Sequence, residues 1–160
     1  TGGKASPLDS GTHVPMIVSW PETAPSGVVT DALIDFADFL PTMMDLAGME
    51  IRDGMQLDGQ SFYRQLLGEP DAPRRDFAFK FGCQNGGKGA GPANGYWART
   101  QRWKLYGKGE FYDLQNDPLE EQPLEAASFE GEAQTAYEHL VQVLKESGAE
   151  EATREYRRSQ

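Results

Sequence analysis

The chain has 160 residues, with 15 Lys and Arg against 25 Asp and Glu, a formal charge of −10. Apolar residues make up 38% and charged residues 25%, a globular balance that excludes a disordered chain. The acidity, without a basic stripe, argues against a nucleic-acid partner, and no apolar run is long enough to span a membrane.

The same acidity repels an anionic substrate at long range, so a local cationic pocket or a metal would have to hold one. The single cysteine, Cys83, forbids an internal disulfide and decides no compartment. Thr1-Gly2-Gly3-Lys4 contains neither a start methionine nor a signal peptide. The chain reads as the rear part of something longer.

Residues 1 to 13 are polar and glycine-rich and predict a loop. Val14 to Trp20, closed by Pro21, is a short apolar run that reads as a buried strand. Val28 to Ala37 predicts a second extended segment. Asp38 is expected to cap a helix that tolerates Pro41 in its first turn. Phe39, Met43 and Leu46 form its apolar face and Gly48 closes it. A short helix is expected over Ser61 to Leu67, ended by Gly68.

Asp76 to Phe81 alternates and predicts a strand, followed by a glycine-rich stretch, Gly82 to Gly95. Tyr96–Thr100, Trp103–Tyr106 and Phe111–Leu114 are separated by two short connections. That spacing predicts an antiparallel meander, and Asn116-Asp117-Pro118 predicts a turn. Ala133, Tyr137, Leu140, Val141 and Leu144 share one helical face, and Ser147-Gly148 ends that helix. The last twelve residues are charged and expected to be mobile or partly helical. The expected division is therefore 1–75 as the rear of an α/β domain, 76–148 as a small antiparallel sheet plus helix, and 149–160 as a tail.

Six segments in fixed order carry a resemblance. They are Gly3-Lys4 with Asp9-Ser10-Gly11-Thr12-His13-Val14-Pro15; Trp20-Pro21 with Gly27; Asp38-Phe39-Leu40-Pro41-Thr42 through Gly48; Leu57-Asp58-Gly59-Gln60-Ser61-Phe62; Arg99 to Leu105; and Glu110 to Glu120. Together they resemble the C-terminal portion of the sulfatases. The resemblance implies the end of an alkaline-phosphatase-like α/β layer followed by a small antiparallel sheet with a C-terminal helix. It implies hydrolysis of sulfate esters by a formylglycine beside a calcium ion, and a periplasmic or secreted setting. The formylglycine arises from a Cys/Ser-x-Pro-x-Arg motif, which this chain lacks: Cys83 is followed by Gln84-Asn85-Gly86-Gly87, and Thr23-Ala24-Pro25-Ser26-Gly27 is only an echo. The family's metal carboxylates also precede the region matched. The expectation is a fragment inactive alone, whose partners are the missing N-terminal sulfatase region and, for the intact enzyme, a sulfate ester. No calcium or formylglycine is expected on this chain itself.

Lys4 is the catalytic residue the resemblance assigns. A fixed ammonium beside a sulfate ester stabilises charge that grows as the bond breaks; the bland alternative is a solvated loop lysine. His13 is a secondary candidate for substrate binding, and a hydrogen-bonding histidine at the strand entrance is the preferred reading. His139 is expected to be exposed. Gly82, Gly87 and Lys88 echo a phosphate loop, but Gly89 stands where Ser or Thr is needed, so a plain loop is the better reading. Asp113, Asp117, Glu120 and Glu121 lack the spacing of a calcium loop, and Asp113 and Asp117 read as turn formers. Trp97, Trp103, Tyr106, Phe111 and Tyr112 form an aromatic seam, read as core.

Two other readings stay open: a fragment of a related phosphodiesterase or phosphonate hydrolase, and a non-enzymatic module that binds a partner or a sugar. A strand at 14–20 with no neighbours would invite pairing, so a homodimer through it, or poor order there, is expected.

Overall fold

The computed structural model describes residues 6–52, 54–70, 72, 75–81 and 96–158. The elements in order are α1 (Asp9–Thr12), a 3-10 turn (Phe36–Asp38), α2 (Phe39–Leu46), α3 (Tyr63–Leu66), β1 (Ala78–Phe81), β2 (Tyr96–Arg99), β3 (Trp103–Tyr106), β4 (Phe111–Asp113), a second 3-10 turn (Ala126–Ser128), α4 (Gly131–Glu146) and α5 (Ala149–Arg158). They form two units. One comprises residues 16–78; the other joins the described residues up to Pro15 to those from Phe79 onward.

The second unit is built on the expected meander, a four-stranded sheet in the order β1-β2-β3-β4. The register pairs Ala98 with Leu105 and Leu105 with Phe111 antiparallel, and in the next row Arg99 with Lys104 and Lys104 with Tyr112. Side chains alternate across a strand, so Trp-Lys-Leu-Tyr in β3 divides into Trp103 and Leu105 on one face and Lys104 and Tyr106 on the other. The first face packs on α4. Phe111 lies flat on Trp103, with ring centroids 5.4 Å apart, and meets Phe129 and Tyr137 edge-on. Phe111 and Leu140 are fully buried at the centre of this core. Of the aromatic seam, Trp103 and Phe111 thus serve as core on this face, while Trp97, Tyr106 and Tyr112 lie on the opposite one. Within α4 the buried residues are Leu140 and Val143, while Val141 and Leu144 of the predicted face are half-buried, and so is His139, which was expected to be exposed.

The charged tail is helical through Arg158. Gly148 takes φ +65, a left-handed turn that costs glycine little, and lets α5 fold back so that Ala149 and Thr153 are buried.

In the unit of residues 16–78 the sequence reading needs correction. Val14 to Trp20 forms no strand: Ile17 is 92% exposed and Val14, Met16 and Val18 are exposed as well. A strand exists only with a hydrogen-bonded neighbour, and apolar character alone does not supply one. Val28 to Ala37 is likewise mostly unpaired. Among the described residues its ladder contact is the isolated bridge Leu33–Arg75, and Val29 is 96% exposed. The described residues of this unit otherwise hold no sheet beyond the start of β1.

The helix at 39–46 begins and ends as its sequence predicts, but its capping and buried face differ. Asp35, not Asp38, caps the entry: its carboxylate accepts from the Ala37 amide, and Asp38 accepts from the Asp35 amide, a reciprocal box. Asp38 is buried instead as a hub. It accepts from the Gln60 amide at 2.7 Å and forms a forked ion pair with Arg75. Thr42 donates to the Asp38 carbonyl and accepts from the Phe62 amide at 3.0 Å. These bonds turn Pro41, Thr42 and Met44 inward and leave Met43 half-exposed. At the C-terminus Gly48 has φ +63, and Met49 and Gly48 donate back to Met44 and Asp45, the paired bonds of a Schellman ending. The short helix also ends as expected: α3 stops at Leu66 and Gly68 takes φ +72.

Candidate functional site

Lys4 and the whole stretch Gly82–Gly95 with Cys83 lie outside the described residues. The site that the structure does describe begins just after Lys4, where the segment Pro7–His13 crosses the face of the sheet opposite α4. Alternation in β3 points Lys104 and Tyr106 at this segment, and β2 adds Trp97 and Arg99 by register.

Lys104 is the least expected member. Its side chain is 0% exposed, and so is that of its partner Glu120. The ammonium donates to Glu120 Oε1 at 2.8 Å and to the Pro7 carbonyl at 2.9 Å, and sits 4.7 Å and 4.9 Å from the ring centroids of Trp97 and Tyr106. The single proton of the Tyr106 hydroxyl goes to Glu120 Oε2, and the same oxygen lies 3.2 Å from the Pro7 carbonyl. Glu120 Oε1 also accepts from the Asp9 amide at 2.5 Å. Arg99 closes an ion pair with the Asp9 carboxylate. Two cations thus face two anions, and the desolvation of each is met by fixed partners.

Burial pushes the Lys104 ammonium below its ordinary value, against the opposing pull of Glu120. Burial, and then the neighbouring Glu120 carboxylate, pushes the Tyr106 phenol up, so it stays a donor. Glu120 itself adopts φ +56, a left-handed backbone that a non-glycine residue holds at a cost of about 1–3 kcal/mol. The surrounding contacts supply that cost and aim the carboxylate inward.

His13 stands at the end of α1, its side chain 70% exposed, with Nδ1 3.2 Å from Asp9 Oδ2. It therefore sits at the rim of the network, beyond a helical turn rather than at a strand entrance. The acidic patch near the turn dissolves into separate roles. Asp113 pairs with Arg102 and accepts from the Gln115 amide. Asp117 accepts from the Glu121 and Gln122 amides. Glu120 is the buried anchor. Among the described residues no group of three or more His, Cys, Asp or Glu could hold a metal ion, so these residues do not fit a calcium site.

Sequence reasoning missed Lys104, Tyr106, Asp9 and Arg99 as a unit, and read Glu120 only as one of four acidic residues near a turn. One signal was available. A lysine at the centre of an aromatic strand must either face water or meet a carboxylate.

The sheet thus carries α4 on one face and the fastened segment Pro7–His13 on the other. Residues 5–150 match the family model described as "N-sulphoglucosamine sulphohydrolase, C-terminal", and the chain belongs to that family. It is 37% identical over 67 residues to the ulvan-active sulfatase of Formosa agariphila, covering 42% of this chain and 13% of that protein. It is 30% identical over 80 residues to the mouse steryl-sulfatase, covering 50% of this chain and 13% of that one. The chain thus spans about one eighth of the length of these relatives. Among solved structures, that of BT4656 in complex with its substrate D-glucosamine-2-N,6-O-disulfate aligns with TM-score 0.47 at 29% identity, over 69% of this chain and 23% of that one. That of BT1596, a 2-O GAG sulfatase, aligns with TM-score 0.49 at 23% identity, over 77% and 26%.

Proposed function

We propose that this chain is the C-terminal part of a sulfuric ester hydrolase, and that it completes an anion pocket whose nucleophile and metal belong to an upstream region. The observation that carries this is the family match over residues 5–150 together with six motif segments in the family's order. The relatives' names favour a sulfate ester over a phosphate diester.

In the reaction, water and a sulfate ester give an alcohol and sulfate. Formylglycine and calcium would supply the nucleophile and hold the anion, and this reading places both upstream, because the sequence has no Cys/Ser-x-Pro-x-Arg motif. This chain's contribution is Lys4. Its ammonium would lie against the sulfate oxygens and stabilise the transition state more than the ground state. The exposed apolar residues at 14–18 would be covered by the upstream region, or by a second copy where that region is missing.

The test is direct. The purified 160-residue chain should release no 4-nitrophenol from 4-nitrophenyl sulfate. The polypeptide extended upstream through the Cys/Ser-x-Pro-x-Arg motif should do so, and Lys4→Ala in it should lower kcat about 10²–10³-fold, the usual loss for one electrostatic contact. Turnover by the short chain, or a longer polypeptide that cleaves only phosphate esters, overturns the reading.

A further inference from the structure

Helix α2 is apolar on two opposite faces, and its own unit covers one of them. The inner face carries Pro41, Thr42 and Met44. It is held where Thr42 donates to the Asp38 carbonyl and accepts from the Phe62 amide. Residues three and four apart share a helical face, so Leu40, Met43 and Ala47 line the outer one, with Phe36 a turn earlier. All four are exposed. Phe36 is 81% exposed and Met43 50%, whereas the adjacent Met44 is 9% exposed. Past the Gly48 ending, Met49 and Ile51 prolong the exposed surface. A helix that is apolar all round belongs in an interior, and a run of exposed apolar side chains marks an interface. The run is confined to one unit. Among the described residues, the exposed large apolar side chains outside residues 16–78 are Val14 and Leu119.

Charge and chain length select what covers this face. From residue 28 to residue 55 the sequence has six acidic residues and one basic one, Arg52. Arg75 neutralises Asp38. Asp45 and Glu50 stand exposed at the C-terminal end of α2 and just beyond it. A second copy would set like charge against like, on chains that each carry −10, and like-charge juxtaposition disfavours association. The chain covers 13% of the ulvan-active sulfatase and 13% of the mouse steryl-sulfatase, so a protein of that kind has most of its length available to supply the cover.

We propose that the outer face of α2, with Phe36 before it and Met49 and Ile51 after it, is a docking surface for the upstream region of the same polypeptide. The docked surface is apolar, with a rim of Lys and Arg facing Asp45 and Glu50. This rests on the upstream region proposed above. Docking makes α2 an interior helix of the complete protein, with partners on both faces.

The methionines report the cover. Hydrogen peroxide passes one oxygen to an accessible thioether, giving the sulfoxide and water, at a rate that follows exposure. Met43 and Met44 are neighbours, so each molecule carries its own control. In dilute peroxide, followed by mass spectrometry, Met43 of the 160-residue chain should oxidise roughly tenfold faster than Met44. In the polypeptide extended upstream through the Cys/Ser-x-Pro-x-Arg motif, Met43 should fall to within about twofold of Met44. Equally fast oxidation of Met43 in both polypeptides overturns the docking. Protection of Met43 in the 160-residue chain that grows with concentration, alongside a dimer in sedimentation, makes a second copy the occupant and overturns the upstream partner.

The rim is tested by Asp45→Lys with Glu50→Lys. Both side chains are exposed, so the urea midpoint of the 160-residue chain should not fall. In the longer polypeptide Met43 oxidation should rise about threefold or more, and no rise overturns the basic rim. Met43→Glu gives a reading without peroxide: it should leave the urea midpoint of the short chain unchanged and lower that of the longer one, and equal shifts in both overturn the docking. None of these readouts uses an ester. A longer polypeptide that shields Met43 and cleaves only phosphate esters keeps the docking and overturns the sulfate reading. One that cleaves 4-nitrophenyl sulfate with Met43 open does the reverse.

Discussion

Removing the Glu120 carboxylate should be among the most damaging single changes in the unit that holds the sheet, and its cost should depend on pH. Glu120→Ala strips the acceptor from three donors at once: the Asp9 amide, Lys104 Nζ and the Tyr106 hydroxyl. Breaking a buried ion pair by deleting one partner costs about 3–5 kcal/mol. The ammonium has an escape, which sets a ceiling. From an ordinary value of 10.5, shedding its proton at pH 7 costs 3.5 units at 1.36 kcal/mol each, or about 5 kcal/mol. At pH 9 the same escape costs only about 2 kcal/mol. The sign follows from linkage. In the variant, the folded lysine loses its proton below the unfolded value, so the unfolded state binds more protons across that window. The variant therefore gains stability relative to the parent as pH rises from 7 to 9. Urea unfolding followed by the fluorescence of Trp97 and Trp103, with Trp20 replaced by Phe, reads this directly. A loss of about 4 kcal/mol corresponds to a fall in Tm of roughly 15 °C or more, and adding Lys104→Met should restore most of it. Glu132→Ala is the control: it removes the exposed end of the Arg102 network and should cost under about 1 kcal/mol. If Glu120→Ala costs no more than that control, or its penalty is flat between pH 7 and 9, the buried pair is not what the geometry says it is.

Acid should act through Asp113, whose carboxyl is held below the ordinary range first by the Arg102 hydrogen bond. The stabilisation is full above the unfolded value of about 3.9 and is lost as pH falls through the lower folded value. The gap between parent and Asp113→Asn, measured as urea midpoints, should therefore narrow from pH 7 to pH 3; a constant gap refutes it. Two glycines should respond differently to alanine. At Gly59 the new Cβ would stand 1.9 Å from the Ala37 carbonyl oxygen, which is backbone, whereas at Gly107 it meets the movable tip of the Tyr96 ring. Gly59→Ala should thus cost about 3 kcal/mol and Gly107→Ala about 1 kcal/mol, and equal losses in thermal unfolding would contradict the contacts. In the core, Phe111→Ala should cost about 3–5 kcal/mol while Leu119→Ala, 61% exposed, stays within about 0.5 kcal/mol.

The sheet was legible because its signals are local. Alternation from Tyr96 to Asp113, with tight connections between strands, fixes both pairing and faces. The helix endings at Gly48 and Gly68 were legible for the same reason, since a left-handed residue after a helix favours glycine. The segment 14–20 was misread because burial is a property of what surrounds a residue, and valine and isoleucine carry no record of whether a neighbour is present. Asp38 was misread because a capping carboxylate and a buried ion-pair hub have the same sequence. Only the position of Arg75, 37 residues on, separates them. The network around Lys104 escaped for a related reason. Its members at 7–9, 97–106 and 120 meet only after the sheet has formed, and no window of sequence contains them together.

That spread has a consequence for synthesis. Pro7 leaves the ribosome 97 residues ahead of the lysine that holds it. At about 5–20 residues per second the early strip waits roughly 5 to 20 seconds for its dock, while every residue of the other unit emerges in between. The strip at Pro7–Asp9 is therefore made well before Lys104 and Glu120, and docks only once both have emerged. Slowed translation through the glycine-rich stretch would lengthen that wait without altering a single contact of the finished molecule.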